Sequence, residues 1–494
     1  MPKYEEVVNL ALRRSLFYPS SEIYSNTPAG FYNYGPYGAA IRRKIVDVWR
    51  KELVQKEQMM EIDGAISMPA DVFKASGHLT SFNDPITKCK KCNATFRADK
   101  LLNEITKEEF KEAMKEEELT KALRDNKIKC QKCKGDLEDV KRSSLMVKAE
   151  VGIAEKSSVY LRPETCQTIF TDFLRMTKTM RLKLPKGIAQ IGKAFRNEIS
   201  PRQTILRTIE FTQMEIEVFF DEKEINSIER FNEVKDYKIS VQLAGKEKIE
   251  KISCEELVKK KIVSGKLISY YLARTQQMYE KLGFSVDLIR FRQLDDQERA
   301  FYAKEGWDFE VQTSLGWTEL IANNYRTDYD LKGHSSGSKQ DLSYVDDQGK
   351  KVLPHVWEIS IGLDRTFYAV LENSFKQEKD RTILSLPNSV APIHAAIFPL
   401  LSNKEELIKK AKEIFESLQN YEVFYDDTGS IGKRYARMDE IGCPYCITID
   451  FDSLEKQDVT IRERDSAEQK RIKIKDLNNV LYELITGKKK FKQV

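Results

Sequence analysis

The sequence predicts an α/β protein of two or three domains, with an antiparallel sheet flanked by helices in the first part and a smaller α/β domain after it. Three observations carry this expectation. The chain has 494 residues, more than one hydrophobic core usually supports. Two strand-like segments, residues 188–196 and 210–220, face each other across a polar loop in the manner of an antiparallel hairpin. An aperiodic stretch with two prolines, residues 384–392, reads as a linker to a last segment in which strand-like and helix-like patterns alternate.

Along the chain, Ile41, Ile45, Val48, Trp49 and Leu53 recur at helical spacing with Arg and Lys between them, which predicts a long amphipathic helix over residues 39–58. A turn-rich aromatic stretch, Gly30-Phe-Tyr-Asn-Tyr-Gly-Pro-Tyr-Gly38, precedes it, and Met68-Pro69 ends the extended stretch that follows. Residues 86–145 are dominated by Lys and Glu, are bracketed by Cys89-x-x-Cys92 and Cys130-x-x-Cys133, and read as an insertion. Residues 222–290 read as a second, mostly helical insertion that interrupts a strand-like region resuming near Trp307. After the linker, residues 395–400 read as a buried strand, Leu407, Ala411, Ile414, Phe415 and Leu418 mark a helix, and residues 423–425, 447–451 and 459–464 supply further strands. The expected organisation is a first domain over 1–385 containing both insertions, and a second over 390–494.

Composition excludes more than it identifies. Eighty-two Lys and Arg against 77 Asp and Glu leave a net charge of +5, too small to name a polyanionic partner. No apolar run approaches the roughly eighteen residues a membrane helix needs, and the first residues lack an apolar signal core, so no membrane association and a cytoplasmic location are expected. Eight cysteines, six of them in CxxC pairs, suit a reducing compartment better than a disulfide framework. Cys89, Cys92, Cys130 and Cys133 match a closed tetrahedral zinc site of structural role, with two unlinked reduced pairs as the other reading. Cys443-Pro-Tyr-Cys446 has the letters of a redox motif without the fold context one needs. No GxxxxGK[ST] phosphate loop occurs, Gly429-Ser-Ile-Gly-Lys433 being too short, and the four histidines, His78, His334, His355 and His394, form no visible nucleophile triad.

Charged residues concentrate around the hairpin. Arg196, Glu198, Arg202 and Arg207 surround its loop, and Glu210, Glu215 and Glu217 lie along the returning strand, where they form either an exposed salt-bridge ladder or a partnered functional cluster. A third element, from His355 through Glu358, Ser360 and Gly362 to Arg365, reads as a strand, a glycine break and a helix whose start carries an arginine able to reach a phosphate.

Together these elements resemble the three sequence motifs of class II aminoacyl-tRNA synthetases, and within them the homodimeric glycyl type. The first motif is similar to the amphipathic helix followed by Pro69, the second to Phe195-Arg-Asn-Glu-Ile-Ser-Pro-Arg202 through Glu217, the third to Glu358 through Arg365. Further similar stretches are Gly30 to Gly38, Ala75-Ser-Gly-His78, Leu161-Arg-Pro-Glu-Thr165, Gly316-Trp-Thr-Glu319, Arg326-Thr-Asp-Tyr-Asp-Leu331 and Asp450-Phe-Asp-Ser-Leu454. HIGH and KMSKS, the marks of the other synthetase class, are missing from the sequence. Rival readings are a prolyl or threonyl type of the same class and a silent relative that only binds RNA or a polymerase; retention of Arg196 and Arg365 speaks against the latter.

The resemblance implies a class II synthetase-like antiparallel sheet with an anticodon-binding domain behind it, and a glycine–tRNA ligase reaction using ATP with Mg2+. Arg196 and Arg365 would be the catalytic cations, holding the α- and γ-phosphates, with Arg207 a further phosphate contact. Phe211 would stack on adenine, Glu198 would accept from its amine, and Glu358 would complete the ATP site. Glu164, Glu215, Glu358 and Ser360 would surround the glycine ammonium, with Arg326 near its carboxylate. Arg434, Arg437 and Arg462 become candidate contacts to tRNA(Gly), with Lys259-Lys-Lys261 and the basic tail as electrostatic ones. The sequence departs from the family at Gln203 and Thr204, where a small residue and glycine are usual, and at Ile209, where an arginine is common.

Overall fold

The computed structural model describes residues 3–111, 114–154, 156–199, 201 and 203–494; Arg202, singled out above, lies outside the described residues. The first part of the chain is organised by a nine-stranded sheet. Its strands are β1 (Met60–Ile62), β2 (Lys186–Phe195), β3 (Glu210–Phe220), β4 (Lys238–Gln242), β5 (Ile249–Ser253), β6 (Ile289–Gln293), β7 (Glu305–Thr313), β8 (Gly316–Thr327) and β9 (His355–Gly362), in the order β5-β4-β6-β7-β8-β9-β3-β2-β1. Six consecutive neighbours, β6 to β2, are antiparallel, while β1 joins β2 and β4 joins β6 in parallel.

The hairpin β2–β3 pairs ten residues, from Lys186 opposite Phe219 to Phe195 opposite Glu210. Its strand β3 explains why the sheet has two different faces. Met214, Ile216, Val218 and Phe220 alternate with Gln213, Glu215, Glu217 and Phe219, and the pleat sends alternate residues to opposite sides. The first set joins the main core with Ile41, Ile45 and Trp49 of helix α1 (Pro36–Trp49) and Leu363 and Phe367 of helix α5 (Leu363–Ser374). The second set faces helices α2 (Cys166–Thr179) and α4 (Tyr329–Ser338), where Phe219 packs with Phe170, Phe173 and Leu331. Helix α1 runs on through a wider π-type turn, Arg50–Gln55, that buries Leu53.

The segment 222–290 departs from the expected helical insertion. It holds α3 (Lys266–Lys281) and a short helix, Cys254–Lys259, but also β4 and β5, and these two strands extend the main sheet at its far edge. Composition misleads here for a physical reason. At the edge, β5 exposes Glu250 and Lys251 while Ile252 is buried, and an edge strand charged in this way resembles a solvated helix face.

The cysteine-bracketed segment folds around a three-stranded sheet, Thr95–Arg97, Asn83–Lys88 and Lys141–Ser144, with helices Ala98–Thr106 and Glu116–Asp125 closing over Leu101, Leu102, Leu119 and Leu123. The C-terminal segment forms a five-stranded sheet of β10 (Ala395–Pro399), β11 (Val423–Tyr425), β12 (Tyr445–Ile449), β13 (Asp458–Glu463) and β14 (Gln469–Lys473), in the order β11-β10-β12-β13-β14. Helices Glu405–Ser417 and Ile474–Ile485 supply Leu407, Ala411, Leu477 and Leu481 to its core. Residues 384–392 are no loose tether: Leu384, Leu386, Val390 and Ala391 are buried, and Arg464 of the last domain donates to the Leu386 carbonyl at 2.9 Å.

Candidate active site

On the polar face of the sheet lies a cavity of about 460 Å³ whose walls come from six separate stretches of chain. Arg196, Glu198, Arg207 and Phe211 enter from the hairpin, Glu164 from the turn before α2, His78 and Phe82 from a short helical segment, Tyr302, Asp308 and Glu319 from the β6–β8 region, and Ser360 and Arg365 from β9 and α5. Phe211, Asp308, Glu319 and Ser360 stand on strands and Arg365 on a helix, while Glu164, Arg196, Glu198 and Tyr302 stand on the turns and loops between such elements.

Its arginines differ in what they are doing. Arg196 donates from Nε to the Pro163 carbonyl at 3.2 Å, its guanidinium lies 5.3 Å from the ring centres of both Phe82 and Phe211, and it has no carboxylate partner among the described residues. Arg207 instead donates to Glu198 Oε2 at 2.7 Å, so two residues expected to hold different parts of one ligand hold each other. Arg365 sits in the first turn of α5, donates to the Leu206 carbonyl at 3.1 Å and pairs with Glu319 at 3.3 Å.

Beneath the cavity is a closed acidic floor. Arg326, wholly buried, donates to Asp330 from Nε at 2.7 Å and from Nη2 at 2.9 Å, and to Glu358 Oε1 from Nη1 at 2.8 Å. Tyr302 covers the guanidinium, 3.9 Å from ring centre to Cζ. Asn324 donates to the other Glu358 oxygen at 2.7 Å. Glu215 accepts from the Thr165 amide at 2.7 Å, from the Thr165 hydroxyl, and from Ser360 at 2.7 Å. Glu217 is equally buried but has no hydrogen-bond partner on either oxygen among the described residues.

So many carboxyls in one dry place cannot all stay charged without cations. Burial pushes Glu358 up to about 8 although Arg326 faces it, and burial together with Glu358 raises Glu217 well above the carboxylate range. Glu164 goes the other way. Burial alone would raise it, but His78 and then Arg326 hold it well below the usual range. The turn that presents Glu164 is anchored by Arg162, which donates to the Lys193 carbonyl at 2.8 Å and the Gly64 carbonyl at 3.0 Å. A Cβ at Gly192 would come within 2.0 Å of that guanidinium, so the strand leaves room for the anchor only by lacking a side chain there.

A second cluster lies apart from the cavity. The sulfurs of Cys89, Cys92, Cys130 and Cys133 all lie within 4.8 Å of one another, with Cys89 to Cys133 at 3.4 Å and Cys92 to Cys130 at 3.6 Å. Four thiolates around one zinc at about 2.3 Å each would stand roughly 3.8 Å apart, so the donor set and its spacing fit that ion. The Lys91 amide donates to Cys89 Sγ at 3.4 Å, and such backbone contacts, led by that of Cys92, bring the Cys89 thiol down to about 6.

Two comparisons bear on these arrangements. Residues 148–374 match the tRNA synthetase class II core domain (G, H, P, S and T), and residues 394–484 match an anticodon binding domain. The chain is 37% identical to a glycine–tRNA ligase of Methanocaldococcus jannaschii over 97% of this chain and 98% of that one. It is 39% identical to a glycine–tRNA ligase of Thermococcus gammatolerans over 98% and 99%, and 35% identical to one of Methanococcus maripaludis over 97% and 99%. The chain belongs to the glycine–tRNA ligase family. As a member of that family it has the class II core and the anticodon-binding domain together, and the antiparallel sheet expected from the hairpin is the one observed.

Of the residues singled out in the sequence, Arg196, Glu198, Arg207, Phe211, Arg365, Glu164 and Ser360 line the cavity, while Glu215, Glu358 and Arg326 lie below it as its floor. The exposed salt-bridge ladder is excluded, since Glu215 and Glu217 are fully buried. Arg434 and Arg462 are corrected as tRNA contacts. Arg434 is 1% exposed and donates to the Gly429 carbonyl at 2.8 Å and to that of Pro399, and Arg462 pairs with Asp439 at 2.8 Å inside the last domain. Cys443 and Cys446 are buried, which removes the thiol access that redox chemistry needs. Sequence reasoning missed Asp330, Asn324, Tyr302 and the unpartnered state of Glu217. Asp330 alone carried a readable signal, standing four residues after Arg326, although the two meet across the start of a helix rather than along one.

Proposed function

We infer that this chain activates glycine with ATP and then transfers it to the 3′ end of tRNA(Gly). The observation that carries this reading is that Arg196, a guanidinium with no carboxylate partner among the described residues, shares one cavity with Glu164 and Ser360, with the buried Glu215 bonded to Ser360 from below. In the first step a glycine carboxylate oxygen bonds to the α-phosphorus of ATP and the bond to pyrophosphate breaks. Negative charge grows on the phosphoryl oxygens, and fixed cations aimed there lower the barrier. Arg196 would serve the α-phosphate and Arg365 the outer phosphates; Mg2+ would come with the nucleotide. Arg207 and Glu198 would part, or present their pair jointly, as Phe211 receives the adenine. In the second step a hydroxyl of the tRNA's terminal ribose bonds to the glycyl carbonyl carbon and AMP leaves.

Glycine offers only an ammonium, a carboxylate and the lack of a side chain. Glu164 and Glu215 would hold the ammonium, Ser360 would donate toward the amino acid as it now does toward Glu215, and Glu358 with Arg326 would keep the recess rigid. A rigid wall rejects an added methyl at about 1–3 kcal/mol or more. Glycine-dependent exchange of pyrophosphate into ATP tests the reading: glycine alone among the standard amino acids should support it, and exchange with proline, threonine or none at all would overturn it.

Three further features belong to the same proposal. Cys89, Cys92, Cys130 and Cys133 would hold one zinc ion in a structural role, tying the two ends of the inserted segment together. The enzyme would work as a homodimer, closed two-fold pairs being the commonest assembly of soluble chains; light scattering of the purified protein tests this. A cytoplasmic setting accords with eight cysteines that are all unpaired with one another by disulfides, and with no helix among the described residues long and apolar enough to cross a membrane.

A further inference from the structure

The groups around Glu164 are arranged unequally about its two oxygens. Cys166 Sγ at 2.9 Å, Gln167 Nε2 at 2.9 Å, His78 Nε2 at 3.2 Å and Arg326 Nη2 at 3.7 Å all approach Oε1. Glu164 nevertheless lines the cavity, so the side of the carboxyl away from these groups is the side that a ligand would meet. Cys166 and Gln167 stand on the helix that follows Glu164, and Arg326 is already committed to Asp330 and Glu358. His78 is different, because it comes from another part of the chain and is itself held from behind.

That hold is specific. His78 is 4% exposed, its Nδ1 is hydrogen-bonded to the Ser76 hydroxyl at 2.8 Å, and Phe73 and Phe82 meet the ring edge-on at 6.1 and 5.5 Å. Gly77, between the serine and the histidine, has φ +81, and a Cβ there would come within 3.1 Å of the Tyr329 hydroxyl, so the backbone turn that aims the imidazole depends on glycine. Ser76 holds the ring at Nδ1, which leaves Nε2 as the nitrogen facing Glu164. The chain Ser76–His78–Glu164 therefore fixes one oxygen of a buried carboxyl from a rigid base.

We propose that His78 is a positioning residue for glycine recognition: by holding Oε1 of Glu164 it keeps the other oxygen presented to the amino acid's ammonium. This rests on the activation of glycine proposed above and adds a residue to it. His78 touches neither reacting atom; it acts through Glu164. Its direct polar contact is with Glu164, and Arg196, which would hold the nucleotide, is reached from it through the Phe82 ring rather than directly, so the larger effect falls on the glycine site.

The test is glycine-dependent pyrophosphate exchange with the full-length protein, comparing wild type with His78→Ala, His78→Gln and Ser76→Ala. Loss of a contact to a charged acceptor should raise the KM for glycine by about 10- to 100-fold in His78→Ala, with the KM for ATP unchanged within about twofold. His78→Gln, which can still donate from a terminal nitrogen, should recover most of that loss, and Ser76→Ala should shift the glycine KM in the same direction by a smaller factor. An unchanged glycine KM in His78→Ala, an equal rise in both KM values, or a glutamine variant no better than alanine overturns the inference and leaves the assigned reaction standing. Should His78→Ala fail to fold, the comparison of Ser76→Ala and His78→Gln with wild type decides the matter by the same glycine-against-ATP split. A wild-type protein that exchanges no pyrophosphate with glycine overturns the reaction and this inference together.

Discussion

Replacing Arg196 with alanine separates chemistry from stability more cleanly than any other change in the cavity. The side chain makes one hydrogen bond to the protein, to the Pro163 carbonyl at 3.2 Å, and pairs with no carboxylate among the described residues. Its removal strands no buried partner charge, so the folding cost is that of one ordinary hydrogen bond, about 1 kcal/mol. The same guanidinium is free to give two charge-assisted bonds to a phosphoryl group, each worth about 1.5–3 kcal/mol. At 1.36 kcal/mol per decade, the loss of both predicts adenylate formation slowed by roughly 10²–10⁴-fold. Single-turnover formation of glycyl-adenylate measures the rate, and urea unfolding measures the stability. Exchange at the wild-type rate, or a fall in activity accompanied by an equally large fall in the unfolding midpoint, would refute the assignment of this arginine to the transition state.

Arg326→Ala should behave in the opposite way: Asp330 and Glu358 lose their buried partner, and urea unfolding should register about 3–5 kcal/mol of lost stability. Glu217→Gln tests the floor's titration. The folded-state pKa of Glu217 lies above its unfolded value, so its protonated form favours folding at low pH and that stability is lost as pH rises from about 4.5 through the folded pKa. The glutamine variant should therefore show a flatter dependence of unfolding midpoint on pH above about 4.5 than wild type, and an unchanged slope would contradict the buried, unpartnered state. Cys89→Ser, or chelation of the purified protein, should release about one zinc ion per chain and expose residues 83–144 to limited proteolysis while the C-terminal domain stays resistant; metal analysis and mapping of the cleavage sites check both.

The hairpin and the strand–glycine–helix element were legible because pattern and chemistry coincide there. On β3 the alternation that makes a strand also sorts Met214, Ile216 and Val218 from Glu215 and Glu217. What the sequence could not convey was depth. Alternation says that two glutamates share a face but not that the face is sealed by α2 and α4, and the difference turns a solvated ladder into a floor of carboxyls competing for protons. The same blindness to depth made Arg434 and Arg462 look like surface cations. Strand β5 was hidden for the reverse reason, since an edge strand carries the charge that marks solvent-facing helices elsewhere. His78 was visible only as a histidine in a familiar stretch; its contact with Glu164 joins positions 86 residues apart along the chain, a separation no local pattern spans.

The buried passage over residues 384–392 bears on how a nucleic acid as long as tRNA is gauged. Leu386 and Val390 are sunk in the main core, and Arg464 of the anticodon-binding domain donates to the Leu386 carbonyl, so the passage between the domains is tied down from both sides. A linker packed in this way would keep the span between the two domains nearly constant, and the tRNA of the proposed reaction would be gauged against that span.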